Sequence, residues 1–354
     1  MYPRLEIDIE KLKHNAKVIS QRCHERNIKI SFVTKSFCAQ KQVVKAVCHE
    51  GIDHIADSRI QNLKKLQDIN LPKMLIRIPM ISELEEVINY CDISFNSELE
   101  TIKKLNELCE SKNIIHKIVL MFDLGDLREG YFYEEDLFDS VKEILRLKNI
   151  KIIGIATNLT CYGAIIPSRE NIGRLVSIAQ KMKEKFGINL EIVSGGNSSS
   201  IHLMTSDSMP EGITNLRIGE SILLGRETAY GKNIHGTYQD AFKLICQVVE
   251  CKEKPSVPIG EIGVDAFRNK PVYEDKGILK RAIIAIGKQD INIDSLIPID
   301  TYIKILGASS DHMILDVSNT NHNYKVGDNV EFFLTYGGVM SSSTSEYVSK
   351  KIIV

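Results

Sequence analysis

From residue 9 onward the chain alternates between two hydrophobic periods. Ile9, Leu12, Ala16 and Ile19 recur at helical spacing behind Asp8, a residue suited to capping, so a helix opens the pattern. Short apolar runs follow at 28–34, 53–56, 73–78, 92–95, 116–122, 151–157, 190–194 and 215–219, and most lead into an amphipathic stretch. Their recurrence is close to the ~30-residue period of a βαβ unit. Adjacent apolar residues within the runs, such as Ile152-Ile153 and Ile118-Val119-Leu120, suit strands buried on both faces. A succession of eight such units predicts a closed (β/α)8 TIM barrel rather than an open doubly wound sheet.

Near residue 233 the pattern changes. Strands are expected at 242–250, 281–286, 301–306, 312–317, 329–335 and 345–353, with no long helices between them. Gly307, Asn319, Asn321 and Gly327 punctuate them as turns require. The expected fold is therefore α/β: a barrel over residues 10–232, followed by a C-terminal all-β domain over 233–354 that residues 1–9 join. The boundary is placed in Gly231-Lys232-Asn233.

Composition narrows the functions. Hydrophobic residues make up 43% and charged residues 26%, with a formal net charge of -1, which excludes an intrinsically disordered chain. Near-zero charge leaves no electrostatic footprint for nucleic acid. No apolar run approaches the ~18 residues of a membrane span. Met1 to Glu10 alternates apolar and acidic residues and does not resemble a signal peptide. The eight cysteines form no C-x-x-C pair and suit reduced thiols in a cytoplasmic protein; no metal motif is expected. The expected partner is a small molecule.

In such a barrel the chemistry gathers at the C-terminal ends of the strands, often with a phosphate site after strands 7 and 8. The first apolar run ends in Val33-Thr34-Lys35. A lysine desolvated in a barrel mouth has a lowered pKa and becomes a nucleophile suited to Schiff-base formation, although a strand-end lysine can also reach out to water. The seventh ends in Ser194-Gly195-Gly196-Asn197-Ser198-Ser199-Ser200, where glycines and hydroxyls suit an anion or a serine-rich helix cap. The eighth ends in Arg217-Ile218-Gly219-Glu220-Ser221. A phosphate site on these neighbouring loops, with a reactive lysine across the mouth, points to pyridoxal 5'-phosphate. The fifth continues as Asp123-Leu124-Gly125-Asp126-Leu127-Arg128-Glu129-Gly130, where Arg128 can hold a carboxylate bidentately or simply line a charged loop.

Together these segments, with Leu5-Glu6-Ile7-Asp8, His14-Asn15, Asp57-Ser58-Arg59 and Leu306-Gly307-Ala308-Ser309-Ser310-Asp311-His312, resemble the fold-type III pyridoxal-phosphate enzymes of the alanine-racemase type. The resemblance covers essentially the whole chain. It implies that Lys35 carries the cofactor covalently and serves as one of two catalytic bases. It implies that Asn197, Ser198, Gly219 and Glu220 lie at the phosphate, the last two through backbone groups. Arg217 matches an arginine facing the pyridine nitrogen, Arg128 one near the cofactor and the substrate carboxylate, and Asn158 a position against the ring. Ser310-Asp311 matches a pair that binds substrate carboxylate from a partner subunit, and Tyr336 a tyrosine bracing the phosphate.

This sequence departs from the family in three places. Met121 replaces a modified lysine, Ala39 replaces a phosphate-binding tyrosine, and Lys288 stands where a tyrosine supplies the opposite-face base. Lys288, Asp311, His312 and Tyr336 are therefore candidates for that base. The implied activity is racemisation of a basic amino acid, ornithine or lysine, in a head-to-tail homodimer, with Glu220, Asp57 or Asp311 facing the distal ammonium. Racemisation of alanine or serine, a non-catalytic pyridoxal-phosphate homeostasis protein, and decarboxylation are the alternatives. The β domain disfavours the carrier, and Arg217 disfavours the decarboxylase.

Overall fold

The computed structural model describes residues 1–264, 267, 268 and 270–354. They form two contact units: Ile9–Gln239, and Met1–Asp8 together with Asp240–Val354. The chain opens with strand β1 (Arg4–Asp8) and helix α1 (Ile9–His24). It continues with β2 (Lys29–Val33), α2 (Lys41–Cys48), β3 (His54–Asp57), α3 (Ile60–Lys65), β4 (Lys73–Leu75), α4 (Leu84–Tyr90), β5 (Ile93–Asn96) and α5 (Leu99–Ser111). Then come β6 (His116–Met121), α6 (Glu134–Ile144), β7 (Ile150–Ala156), α7 (Arg169–Phe186), β8 (Ile192–Ser194), α8 (Ile201–Thr205), β9 (Asn215–Ile218) and α9 (Glu220–Leu224).

Strands β2 to β9 close in sequence order into a parallel barrel, so the eight predicted units are present. Closure is made between β2 and β9, where Ile30 lies opposite Leu216 and Phe32 opposite Ile218. The interior is packed with Val33, Met74, Phe95, Val119, Met121, Ile153 and Ile192, as a barrel without a pore requires. Gly154 follows a register shift between β6 and β7, and a Cβ there would lie 2.5 Å from the Ile192 carbonyl oxygen. Only glycine lets β8 approach β7 so closely. The outer helices form for local reasons. In α1 the buried positions Ile9, Leu12, Ala16, Ile19 and Cys23 make one stripe. In α7 Ser168 Oγ accepts the Asn171 N–H while Asn171 Oδ1 accepts the Ser168 N–H, and Gly187 ends the helix at φ 69°.

The boundary lies between Gln239 and Asp240, not in Gly231-Lys232-Asn233. Residues beyond Asn233 stay bonded to the barrel unit. Ile234 N–H donates to Gly225 O, and buried Asn15 on α1 accepts the Tyr238 N–H while donating to the Ile222 and Tyr238 carbonyls. That tie spans more than 200 positions and has no local signal. Ile9, expected with the β domain, starts α1.

The second unit contains β10 (Phe242–Pro255), β11 (Ile278–Ile284), β12 (Leu296–Pro298), β13 (Lys304–Ala308), β14 (Met313–Asp316), β15 (Asn329–Leu334), helix α10 (Tyr336–Thr344) and β16 (Ser349–Ile353). The strand path β12-β15-β10-β11-β14-β13 is antiparallel, and β1 inserts between β10 and β16. Three expectations need correction. The strand expected at 345–353 begins at Ser349, the one at 301–306 runs from Lys304 to Ala308, and α10 supplies a helix where none was expected. Helix α10 is built from Gly-Gly and serines with little amphipathic pattern, which is why periodicity missed it.

Candidate active site

Lys35 lies two residues beyond the end of β2, after Thr34, and opens a short 3-10 turn, Lys35–Phe37. The turn closes through Cys38 N–H to Lys35 O and Ala39 N–H to Thr34 O, with Cys38 and Ala39 both left-handed at φ 53° and 51°. Two successive non-glycine residues in that region are strained, and strain of this kind concentrates at functional sites. Thr34 Oγ1 donates to Asp57 Oδ2 at 2.6 Å, and Asp57, wholly buried, also accepts the Arg59 N–H and the Asn62 amide. Burial raises the Asp57 pKa, and these hydrogen bonds moderate the rise. Burial lowers the pKa of Lys35, and the charge of Arg128 adds to the lowering; Cys161, Asp57 and Glu129 oppose it. The amine at the end of β2 is therefore more easily deprotonated than an exposed lysine.

Across the mouth, the loops after β8 and β9 meet. Ser198 Oγ accepts the N–H groups of Ser221 at 3.1 Å and Gly219 at 3.4 Å. Gly196 turns at φ 110°, where a Cβ would lie 2.6 Å from Ser200 Oγ, itself donating to Gly195 O. Arg217, on β9, is buried; Nη1 donates to Ser194 Oγ and Nη2 to Thr157 O, each at 2.6 Å, and its guanidinium lies over the Phe95 ring. Burial lowers its pKa to about 10, which still leaves it cationic at neutral pH. Asn197 spends its side chain inside the loops, on Asn158 Oδ1, Leu159 O and the Ser199 N–H.

Three buried atoms at this end, Thr157 Oγ1, Asn158 Nδ2 and Ser199 Oγ, have no hydrogen-bond partner among the described residues. Unsatisfied buried polar atoms cost free energy and mark places a ligand completes. With convergent N–H groups, a buried cation and a desolvated amine, they fit an anionic aromatic aldehyde such as pyridoxal phosphate.

Glu220 sits beside the Gly219 and Ser221 N–H groups, and burial pushes its carboxyl up to about 7, with Arg226 opposing. A carboxyl raised above its unfolded value costs stability as pH climbs from the unfolded pKa toward the folded one, because the unfolded chain ionises first. Glu220→Gln removes that cost. In cofactor-free protein it is expected to raise Tm at pH 8 and leave it unchanged at pH 4, measured by thermal denaturation.

The loop after β6 is pinned rather than loose. Asp123 Oδ1 accepts the Gly125 and Leu127 N–H groups. Asp126, wholly buried, accepts the N–H groups of Thr160, Cys161, Tyr162 and Ile165, joining this loop to the one after β7. Burial pushes the Asp126 pKa up, but the N–H groups outweigh it and hold the carboxyl below its usual range. Arg128 pairs with Glu129 through Nε and Nη2 to both carboxylate oxygens. Asp126, Glu129 and Cys161 were not singled out from sequence. Only a repeat of acids around Gly125 hinted at the first two.

The candidates on the β unit fall into two places. Lys288 N–H donates to Ser309 O and Gln289 N–H to Ser310 O, while Ser310 Oγ donates to Asp311 Oδ2, so Lys288, Ser310 and Asp311 are neighbours. Lys288 Nζ lies over the Phe267 ring, 4.0 Å from its centroid. His312 closes the same turn through its backbone on Ser309. Tyr336 is the first residue of α10.

The family description "Alanine racemase, N-terminal domain" matches residues 7–227, which span the barrel and every strand-end segment above. The chain belongs to that family. Over 353 residues, all of both chains, it is 57% identical to an ornithine racemase of Acetoanaerobium sticklandii. It is 40% identical to a lysine racemase of Thermotoga maritima, covering 99% of this chain and 98% of that one. Among solved structures, alanine racemase from Bartonella henselae with covalently bound pyridoxal phosphate superposes with a TM-score of 0.75 at 18% identity, over 99% of each chain. At that identity the likeness shows the shared fold, a barrel followed by a β domain. Membership places Lys35, Arg128, Ser198 and Arg217 within the matched span, and Lys288, Ser310, Asp311 and Tyr336 outside it.

Proposed function

We propose that the protein is a pyridoxal-phosphate-dependent amino-acid racemase acting on a basic amino acid, ornithine first and lysine second. The observation that carries this is the desolvated Lys35 facing loops whose N–H groups converge at Ser198, in a chain 57% identical end to end to an ornithine racemase. When bound, pyridoxal phosphate supplies a carbonyl carbon that condenses with amines and a ring that accepts electrons from Cα.

The chain's own residues do the rest. Ser198 Oγ and the N–H groups of Gly219 and Glu220 bind the phosphate, and Asn158 offers its free amide to the ring. Lys35 Nζ anchors the cofactor and then holds or moves the proton at Cα on one face. Arg217, cationic at neutral pH, would face the ring nitrogen as a donor that gives up no proton, which would leave that nitrogen unprotonated and favour proton return over loss of carbon dioxide. Arg128 takes the substrate carboxylate. The opposite-face base comes from Lys288, Asp311 or Tyr336, and Ser310 assists with the carboxylate, in a head-to-tail homodimer. A cytoplasmic setting belongs to the same proposal and is supported by eight free thiols. No helix among the described residues is long and apolar enough to cross a membrane.

The test is proton exchange. Cofactor-loaded protein incubated with single enantiomers in D₂O is expected to place deuterium at Cα of ornithine in both enantiomers, with lysine slower and alanine and serine slower still. No exchange with any amino acid would overturn the racemase reading.

A further inference from the structure

We propose that Glu129 is a positioning residue, whose carboxylate sets the attitude of the Arg128 guanidinium so that one edge of the fork faces the substrate carboxylate. The inference rests on the racemase reading and adds to it a residue that neither the motif pattern nor the comparisons single out.

The geometry is that of a clamp. Arg128 uses Nε and Nη2 on the two oxygens of Glu129. A guanidinium has five N–H groups, so this leaves Nη1 and the outer proton of Nη2, the edge that matches a second carboxylate. The Arg128 side chain is 40% exposed and Glu129 19% exposed, so the arginine end needs a tether and the glutamate end is the fixed one. The backbone under the pair is itself held. Phe122 and Tyr131 form an isolated bridge, Tyr131 N–H donates to Met121 O, and Asp123 N–H donates to Tyr131 O. Gly130, at φ 126°, crosses so tightly that a Cβ would lie 2.8 Å from the Asp123 nitrogen.

Elimination points to the same residue. The mouth gathers three cations, Lys35, Arg128 and Arg217, which repel one another. Asp126 is committed to backbone N–H groups of the neighbouring loop, Asp123 to N–H groups of its own, and Asp57 to Thr34, Arg59 and Asn62. Met121, buried below, brings no charge. Glu129 is the carboxylate whose field reaches all three cations, and it is the one bonded to the arginine. Without it, a half-exposed arginine would sample many rotamers, and each binding event would have to order it anew.

The experiment is a double-mutant cycle on the cofactor-loaded protein, using Glu129→Gln, Arg128→Ala and the double variant. The readout is calorimetric affinity for two inert ligands, the α-methyl analogues of ornithine and of norvaline, which lack a Cα proton. Glu129→Gln is expected to weaken both analogues about tenfold, to keep the visible absorbance, and to add nothing once Arg128 is alanine. Glu129→Asp is expected to recover most of the affinity. Unchanged affinity in Glu129→Gln overturns the proposal. So do effects that multiply in the double variant, or loss of the visible band. A loss confined to the ornithine analogue overturns it too, because Glu129 would then face the distal ammonium. If the unmodified protein binds neither analogue, the racemase reading itself fails.

Discussion

Lys35→Ala is expected to abolish the visible absorbance of cofactor-treated protein and to lower racemisation at least about a thousandfold. In the proposed mechanism two contributions vanish together, the covalent anchor and the base on one face of Cα. The fold is expected to survive, because the turn around Lys35 closes through backbone bonds, Cys38 N–H to Lys35 O and Ala39 N–H to Thr34 O. The measurement is an absorbance spectrum alongside proton exchange at Cα, with thermal denaturation as the folding control. An unchanged spectrum in the variant would sink the assignment of Lys35.

Arg217→Ala is expected to cost both stability and activity. The side chain is 4% exposed, and its two hydrogen bonds, to Ser194 Oγ and Thr157 O, tie β9 to β8 and to the end of β7. Alanine leaves the Thr157 carbonyl and one Ser194 lone pair without that donor, and opens a cavity beside Phe95. Together these effects cost about 3 kcal/mol, which corresponds to a fall in Tm of roughly 6–12 °C for a unit of this size. Arg217→Lys keeps a charge but cannot reach Ser194 and Thr157 from two ends of one planar group, so an intermediate loss is expected. Thermal denaturation of the three proteins checks this. A Tm for Arg217→Ala within about 2 °C of the unmodified protein, against the loss expected from two buried hydrogen bonds, would show that the guanidinium is not what joins the three strands.

These two residues were visible in the sequence for a reason that does not extend to the rest of the site. A lysine or arginine at the end of an apolar run is conspicuous, because burying a charge there is costly without a purpose. Gly195-Gly196 and the serines after them were conspicuous in the same way. Asn197, by contrast, has the residue type of a ligand-binding group, yet it spends its amide on Asn158, Leu159 and Ser199. Asp126 looked like one acid of a charged loop and proves to be a buried hub for N–H groups of residues 160–165. Nothing local distinguishes an acid that faces water from one that faces a loop more than thirty residues further on.

The period of the apolar runs was enough to determine the barrel. Strands buried on both faces must be continuous in apolar residues, helices must present one stripe, and eight such units in a row are able to close on themselves. The strand-end positions of Lys35, Ser198 and Arg217 followed from that period alone. Three things were decided only by tertiary structure: where the units divide, which acid serves which partner, and the strain at Cys38 and Ala39. The first two depend on groups far apart in sequence that become neighbours only on folding, as Asn15 does with Tyr238 and Asp126 with Tyr162. Hydrophobic patterning records which face of an element is buried. Hydrogen bonds and charge pairs depend on what that face meets, and that is settled when the chain closes.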